Sequence, residues 1–352
     1  MLEIHSHSHP YRVVESENAV TALGSLTLPT MPLFLVDRKV ADLYQTDFAR
    51  VVPSDRMFLI EATEDAKSYQ SLEPVFCWLL DSRCQRGSQL VVVGGGVLQD
   101  IGCFVASVLF RGIRWTLLPT TLLAQCDSCI GSKSSLNINR FKNQLGTFYP
   151  PHEVCLVFDF LRTLSADEIL SGLGEAIKLH LVDGEESVQR LRERLAASLI
   201  DAQTLRELVW DCLRIKKRYI EEDEFDRGIR NVLNYGHTFA HALESATGYA
   251  IPHGIAVSMG VACATFFSER LGLLPAGYFD RLGAWLRPYF GGHEADLRSL
   301  DVSAVLRSMK LDKKNDGDKI TLILTRGAGR MEKVQLNAAM IPGLLQDCFN
   351  HL

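Results

Sequence analysis

Three histidines and a glutamate have the types and the spacing of a divalent-metal site. His237 and His241 are at positions i and i+4, and His253 follows further along the chain. On a helix, residues at i and i+4 share a face, so these two imidazoles would lie one turn apart. Glu175, in the segment 172–178, could add a carboxylate. Two histidines, one glutamate and an open position are typical of a catalytic zinc site. The alternative is that the histidines are ordinary surface or core residues.

A glycine turn after a short apolar run could bind a pyrophosphate. Residues 90–93 read Leu-Val-Val-Val, and Gly94, Gly95 and Gly96 come next. Glycine lets the backbone approach a phosphate closely, and a helix that begins there would favour its charge. Asp100 would lie one turn into that helix. The usual G-x-G-x-x-G loop is absent, so a plain strand–helix turn is the alternative.

A second polar segment, 127–143, combines charged and amide side chains with glycine and serine. It contains Asp127, Lys133, Lys142 and Asn143 and has no amphipathic period. Loops of this composition are either solvated or bind anions. With the metal candidates, these and other cations suggest a pocket for a small polyanion. The other cations are Arg111, Lys178, Lys216, Arg230 and Lys313. The acidic run at 221–224 is interpreted as a solvated helix face.

Composition excludes several classes of function. The chain has 352 residues and a net charge of −5, with 47% hydrophobic and 22% charged residues. A nucleic-acid or anionic-membrane surface needs a basic excess, which this chain lacks. No apolar run has the length of a membrane span, and the N-terminus lacks a signal-peptide pattern. His5, His7 and His9 indicate a solvated polar start, with weak metal binding as the alternative.

The nine cysteines indicate a reducing, cytoplasmic environment. An odd number in a chain of this length is not a disulfide framework, and several lie in apolar surroundings. Cys126 and Cys129 have the C-x-x-C spacing, but no thioredoxin-like strand and helix surround them.

The order of predicted elements indicates two domains, 1–165 and 166–352. Length alone favours two domains. Strands are predicted at 32–36, 57–62, 89–93, 115–118 and 154–158, with helices between them at 69–86 and 98–110. This alternation predicts an α/β domain with a mostly parallel sheet. Beyond Ser165, which forms a capping box with Glu168, helices are predicted at 187–221, 234–247, 255–271 and 277–288. A late strand pair, 319–325 and 331–336, turns at 327–329.

Several long motifs, in the same order, resemble those of the 3-dehydroquinate synthase-like sugar-phosphate cyclases. The likeness runs over about residues 30–330. It is carried by GGGVLQD at 94–100, RGIRWTLLPTTLLAQCD at 111–127, KNQLGTFYPP at 142–151, LRTLSADEILSGLGEAIK at 161–178, IRNVLNYGHTFAHALE at 229–244 and HGIAVSMG at 253–260.

The resemblance implies an N-terminal NAD-binding α/β domain, a mainly helical C-terminal metal-binding domain, an active site in the cleft between them, and a homodimer. It implies that Glu175, His237 and His253 hold Zn²⁺ or Co²⁺ and that His241 is a pocket residue. The implied NAD contacts are Asp37, Glu64, Lys67, Gly95, Gly96, Val97, Asp100, Thr120, Thr121, Leu123, Lys142 and Thr163. The implied substrate contacts are Asp127, Lys133, Asn143, Lys178, Lys216, Arg230, Asn234, His241 and Lys313, with Arg111 reaching the phosphate from the partner subunit.

The implied reaction converts a phosphorylated heptulosonate-type sugar to a carbocycle, as in 3-dehydroquinate synthase. The metal would acidify a hydroxyl, NAD would take a hydride and later return it, phosphate would leave by β-elimination, and an intramolecular aldol step would close the ring. Lys133, Asn234 and His241 would hold the phosphate, and Arg230 would face a carboxylate.

Two departures from the family's pattern keep other activities open. The usual Gly-Gly-Lys-Thr-Gly-Val-Asn is Gly-Ser-Lys-Ser-Ser-Leu-Asn at 131–137, and Tyr-Pro-Pro at 149–151 replaces Tyr-Gln-Pro. A specialised cyclase of secondary metabolism, of the amino-dehydroquinate, 2-deoxy-scyllo-inosose or valiolone type, is therefore one alternative. A metal- and NAD-dependent polyol dehydrogenase is a second, and a non-enzymatic metal- or nucleotide-binding protein is a third.

Overall fold

The computed structural model describes residues 1–26, 32–139, 141–196, 201–310 and 318–352. The chain forms two compact units. The first contains Met1–Leu164 and Lys216–Phe225, and the second contains Ser165–Ile215 and Asp226–Leu352. Among the described residues, no helix combines the length and the apolar character that crossing a membrane requires.

The first unit is built on a seven-stranded sheet in the order β1-β2-β9-β6-β5-β3-β4. Every neighbouring pair is parallel except β1 and β2. Its strands and a separate hairpin, β7–β8, are β1 Leu2–Ile4, β2 Tyr11–Glu15, β3 Leu33–Asp37, β4 Met57–Ile60, β5 Gln89–Gly94, β6 Arg114–Pro119, β7 Leu136–Ile138, β8 Phe141–Leu145 and β9 Glu153–Leu156. The helices between them are α1 Ala19–Leu26, α2 Arg38–Leu43, α3 Gln45–Val51, α4 Glu73–Asp81 and α5 Gly96–Val108. The predicted mostly parallel sheet is confirmed.

Continuous apolar runs explain why this sheet is buried. The residues of β5 from Leu90 to Gly94 are buried, and so are those of β6 from Trp115 onward. Parallel strands with helices on both faces have this unbroken apolar pattern. Phe34, Val91 and Leu118 belong to the resulting core.

The second unit is mainly helical. Its helices are α6 Ala166–Asp183, α7 Glu185–Leu195, the first part of α8 Ala202–Glu222, α9 His237–Ala246, α10 His253–Arg270, α11 Tyr278–Leu286, α12 Glu294–Ser299, α13 Val302–Lys310 and α14 Ile341–His351. The strands β10 Lys319–Thr325 and β11 Met331–Asn337 form the predicted antiparallel pair. Residues 254–268 of α10 are all buried, as expected for a helix that is apolar on every side. The single helix predicted at 187–221 is wrong, because α7 and α8 are separate elements.

The N-terminal segment and the acidic run differ from their predictions. Leu2–Ile4 and Tyr11–Glu15 are strands, so the start of the chain is more than a solvated tail. Glu224 is 5% exposed, and its carboxylate accepts hydrogen bonds from the Ser6 hydroxyl at 2.6 Å and the His7 amide at 2.7 Å. The prediction that 221–224 is a solvated helix face is therefore wrong for Glu224, because this residue anchors the β1–β2 turn.

Candidate metal and cofactor sites

The metal candidates are positioned by three helix segments of the second unit. Glu175 lies in the middle of α6, which begins with the capping box that was predicted from Ser165 and Glu168. His237 and His253 are the first residues of α9 and α10. Gly236 precedes α9 with a φ of 81°, a left-handed conformation that glycine adopts without strain. Both histidines therefore start a helix immediately after a turn.

Glycines at the helix contacts let α6 and α9 approach α10 to backbone distance, and this brings the metal candidates together. A Cβ on Gly174 would lie 1.9 Å from the carbonyl oxygen of Gly254, and one on Gly254 would lie 1.7 Å from that of Ser171. A Cβ on Gly260 would lie 2.2 Å from the carbonyl oxygen of Gly236. Larger residues would force α6 and α9 away from α10. The glycines therefore determine how near Glu175 and His237 come to His253.

The distances among the three side chains fit a shared divalent ion. Glu175 Oε1 lies 3.1 Å from His253 Nε2 and 3.4 Å from His237 Nε2. One ligand atom from each residue lies within 4.8 Å of the others. Two ligands about 2.1 Å from one tetrahedral ion would be about 3.4 Å apart. The donor set of one carboxylate and two imidazoles matches a catalytic zinc site, which leaves a position for water or substrate.

Lys178 controls the charge of the buried carboxylate. Its Nζ lies 2.6 Å from Glu175 Oε2, and both side chains are buried. Burial by itself raises the pKa of Glu175, but Lys178 and His237 outweigh it and hold the pKa well below its ordinary value. The two residues are three positions apart and share one face of α6. Glu175 is therefore ionised, as a metal ligand must be.

Glu244 is a functional candidate that the sequence analysis missed. Its Oε2 lies 3.2 Å from His253 Nδ1, on the opposite side of the ring from Glu175. Burial lowers the pKa of His253, but contacts with Glu175 and Glu244 raise it to about 10. The available signal was that Glu244 follows His237 and His241 at helical spacing.

The i, i+4 spacing suggests at its simplest that His237 and His241 hold the same metal, but His241 lies elsewhere. Its ring lies one turn from that of His237, with a centroid distance of 5.5 Å, as predicted. It is exposed, and it forms a second possible metal-binding group with Glu244 and His253. The structure places His237, rather than His241, beside Glu175.

Most of the predicted cofactor residues lie at or just beyond the carboxyl ends of parallel strands in the first unit. Asp37 ends β3 and caps α2 through a 3.0 Å hydrogen bond from the Lys39 amide. The glycine turn joins β5 to α5, which confirms the strand–turn–helix prediction. Dinucleotides bind at this edge of open parallel sheets, where the strand order reverses. The other residues placed after strand ends are Glu64, Lys67, Gly95, Gly96, Val97, Asp100, Thr120, Thr121, Leu123 and Thr163.

Charged pairs link several of these residues. Lys67 Nζ lies 2.7 Å from Asp100 Oδ2, and Lys142 Nζ lies 3.4 Å from Glu64 Oε1. Asn137, which was not predicted as a site residue, donates to Glu64 Oε1 at 2.8 Å. Lys142 is in β8, so the hairpin β7–β8 is held against the segment after β4.

The predicted substrate residues fall in both units. In the first unit, Lys216 Nζ lies 2.5 Å from Asp127 Oδ1 and donates to the Asp127 carbonyl oxygen at 2.6 Å. Arg111 and Asn143 have left-handed φ values of 67° and 54°. Such conformations in non-glycine residues are strained and occur often at binding sites. Lys133 pairs with Phe148 through an isolated β-bridge.

In the second unit, the described substrate candidates differ in burial. Lys178 and Arg230 are buried, and Asn234 is partly buried and donates to the Asn231 carbonyl oxygen at 3.2 Å. Lys313 lies outside the described residues.

The surroundings of the C-x-x-C segment, which lies in the first unit, do not favour redox chemistry. Cys126 and Cys129 are both buried, within and just after a π-helical turn at Ala124–Ser128. Burial raises the pKa of Cys129 to about 12, which keeps the thiol protonated and unreactive.

Comparison with protein families gives two adjoining matches. Residues 57–171 match the family described as 3-dehydroquinate synthase N-terminal, and residues 172–315 match 3-dehydroquinate synthase C-terminal. Two relatives named 3-dehydroquinate synthase cover most of the chain. The protein of Legionella pneumophila is 32% identical over 93% of this chain and 90% of its own length. That of Campylobacter curvus is 35% identical over 93% of each chain.

A solved structure supports the fold. The 2-epi-5-epi-valiolone synthase of Streptomyces hygroscopicus, with NAD⁺ and Zn²⁺ bound, superimposes with a TM-score of 0.85 and 23% identity. The match covers 100% of this chain and 99% of the other. The predicted fold class, an α/β unit with a helical unit of this family's type, is thereby confirmed.

Proposed function

Because the chain belongs to the 3-dehydroquinate synthase family, we propose that it is a phosphate-eliminating cyclase with 3-dehydroquinate synthase activity. Its substrate would be a phosphorylated heptulosonate-type sugar, and its products a carbocycle and phosphate. The observation that carries this proposal is the convergence of Glu175, His237 and His253 on one point in the second unit. A metal ligand set in a chain of this family supports metal-assisted chemistry on a sugar phosphate.

The proposed cofactors are NAD and Zn²⁺ or Co²⁺. The valiolone synthase of the same fold is described with NAD⁺ and Zn²⁺ bound. NAD would supply reversible hydride transfer, and the divalent cation would polarise neighbouring hydroxyl groups. Glu175, His237 and His253 would hold the cation. The residues beyond the strand ends of the first unit, together with Lys142, would hold NAD.

The proposed roles of the substrate residues come from the family resemblance and agree with the chemistry of their side chains. Lys133, Asn234 and His241 would hold the phosphate, as cations and amide donors do. Arg230 would face the carboxylate, because a guanidinium matches a carboxylate with two parallel hydrogen bonds. Asp127 and Lys216 form a paired donor and acceptor that would orient substrate hydroxyls. Lys178, Asn143, Lys313 and Arg111 would complete the set.

We further propose that 1–165 is the NAD-binding domain, that 166–352 is the metal- and substrate-binding domain, and that the protein is a cytoplasmic homodimer. None of the nine cysteines forms a disulfide, which fits a reducing compartment. Proposed roles in both units mean that neither unit alone should have activity.

The deciding experiment incubates the protein with NAD, zinc and a panel of sugar phosphates. We expect phosphate release with equimolar carbocycle from a carboxylate-bearing heptulosonate phosphate and no net NADH absorbance. Turnover of glucose 6-phosphate or sedoheptulose 7-phosphate instead would indicate a specialised cyclase. NADH accumulation with a simple polyol would indicate a dehydrogenase, and absence of any turnover would contradict the proposal.

Arg230→Ala tests the substrate class. This variant should lower kcat/KM for the carboxylate-bearing substrate by about 100-fold, because one charged hydrogen-bonding partner would be lost. A neutral sugar phosphate serves as the matched comparison and should be affected far less. Equal losses with both substrates would remove the argument for a carboxylate.

A further inference from the structure

Ser134 and Ser135 form hydrogen bonds with different types of group, a hydroxyl and a carboxylate. Ser134 Oγ lies 2.9 Å from the hydroxyl of Thr147. Ser135 donates twice to one carboxylate, from its amide to Asp100 Oδ1 and from its hydroxyl to Asp100 Oδ2, both at 2.9 Å. Ser134 therefore connects the polar segment to Thr147, just beyond β8. Ser135 connects that segment to α5.

Three of the acceptor positions on Asp100 are occupied by the protein. Lys67 Nζ contacts the same oxygen as the Ser135 hydroxyl, at 2.7 Å. An ionised carboxylate has about four acceptor positions, so about one is left for a ligand. The Asp100 side chain is 18% exposed and can reach such a ligand. The direction of that last position depends on how Lys67 and Ser135 orient the carboxylate.

We infer that Ser135 is a positioning residue for NAD, acting through Asp100. This inference rests on the proposed function, in which Asp100 contacts the cofactor. The hydroxyl of Ser135 holds Asp100 so that its remaining acceptor position meets a hydroxyl or amide hydrogen of the dinucleotide. Ser135 itself does not touch the cofactor.

The same contacts locate the effect of the serine-rich departure at 132–135. Ser134 and Ser135 direct their hydroxyls to Thr147 and Asp100 rather than adding donors beside Lys133. The departure at Ser135 therefore acts on the cofactor site through Asp100, whereas that at Ser134 acts on a contact with Thr147.

The test is NAD binding to the zinc-loaded protein without substrate, measured by calorimetry. Ser135→Ala should raise the dissociation constant for NAD about tenfold, which corresponds to about 1.4 kcal/mol. Ser135→Thr retains the hydroxyl and should restore binding to within about twofold of wild type. Ser134→Ala is the matched control, since it removes a neighbouring hydroxyl that bonds Thr147, and should bind NAD like wild type.

A kinetic readout separates positioning from general damage to the loop. Ser135→Ala should raise KM for NAD while kcat at saturating NAD stays within about twofold of wild type. Unchanged NAD affinity in Ser135→Ala would overturn the inference, as would equal weakening in Ser134→Ala. If Ser135→Ala does not fold, Ser135→Cys, which has a weaker donor of similar size, replaces it with the same expectations. Wild-type protein that binds no NAD would overturn the proposed function as well, so the two failures are distinguishable.

Discussion

His253 is held from both sides of its ring, and this double contact explains its orientation. Nε2 faces Glu175 at 3.1 Å, and Nδ1 faces Glu244 at 3.2 Å. A carboxylate on the second nitrogen of a metal-binding histidine fixes the ring and increases its basicity as a ligand. At the residue scale, the site therefore extends beyond the atoms that would contact a metal.

Glu244→Ala should weaken zinc binding by about 10- to 100-fold, because His253 would lose the group that orients it. The measurement is a zinc dissociation constant from chelator competition. Glu244→Gln keeps a hydrogen-bonding side chain of the same size and should lose less. Wild-type zinc affinity in Glu244→Ala would contradict a positioning role for this carboxylate.

His152 makes the stability of the first unit depend on pH. Burial lowers its pKa to about 4, with the neighbouring His9 and Arg114 adding to the effect. Between about pH 6.5 and pH 4 the unfolded chain binds a proton that the folded chain does not, so stability falls as pH falls. His152 Nδ1 accepts the Trp115 amide at 3.4 Å, as a neutral ring can.

His152→Asn should reduce this pH dependence, because asparagine keeps an acceptor for the Trp115 amide but does not titrate. From pH 7.5 to pH 5, the wild type should lose about 1 kcal/mol more stability than the variant, after allowance for solvent screening. Urea denaturation at the two pH values measures the difference. Identical losses would show that His152 is not the titrating group.

At the element scale, glycine contacts decide whether the metal candidates meet. Gly174 and Gly254 let α6 and α10 approach to backbone contact, and Gly236 and Gly260 do the same for α9 and α10. Each glycine lies beside or near a proposed ligand along the chain. The distances between these helices therefore set the distances among the proposed metal ligands.

Gly174→Ala should destabilise the second unit by about 3 kcal/mol, because the new Cβ would collide with the Gly254 carbonyl group. Zinc affinity should fall with it, since Glu175 would move with α6. Thermal unfolding and zinc binding are the two measurements. Gly343→Ala in α14 is the control: nothing lies within 4 Å of its Cβ, so it should gain about 0.5 kcal/mol. A Gly174→Ala protein as stable as this control would contradict tight helix packing.

At the scale of the whole molecule, the proposed site residues are divided between two sequence-discontinuous units. Residues 202–215 of α8 belong to the second unit, whereas residues 216–222 belong to the first. Lys216 is therefore grouped with Asp127, and the metal candidates belong to the other unit. A metal that binds only the folded second unit should stabilise that unit by mass action.

Zinc at 100 times its dissociation constant should stabilise the protein against unfolding by about 2.7 kcal/mol, and a chelator should reverse the effect. Scanning calorimetry with and without zinc measures the shift. Glu175→Gln removes an anionic ligand from the proposed site and should show little or no zinc-dependent shift. A full shift in Glu175→Gln would mean that zinc binds elsewhere.

The sequence pattern correctly predicted those features that depend only on residues close together in the chain. The apolar run before Gly94 predicted β5 and the turn into α5, and Ser165 with Glu168 predicted the start of α6. The helical spacing of His237 and His241 and of Glu175 and Lys178 was also readable from the sequence. These features depend on backbone geometry within one or two turns.

What the sequence determined by itself is the chemistry available: the ligand types, the glycine turn, the alternating strands and helices, and motifs that identify the family. Only the tertiary structure decided that Glu244 holds His253 and that Glu224 is buried against the N-terminal turn, and it alone gave the distances of His237 and His253 from Glu175. The reason is physical, because these contacts join residues on separate helices and turns. Their distances depend on how closely whole elements pack, which no local spacing encodes.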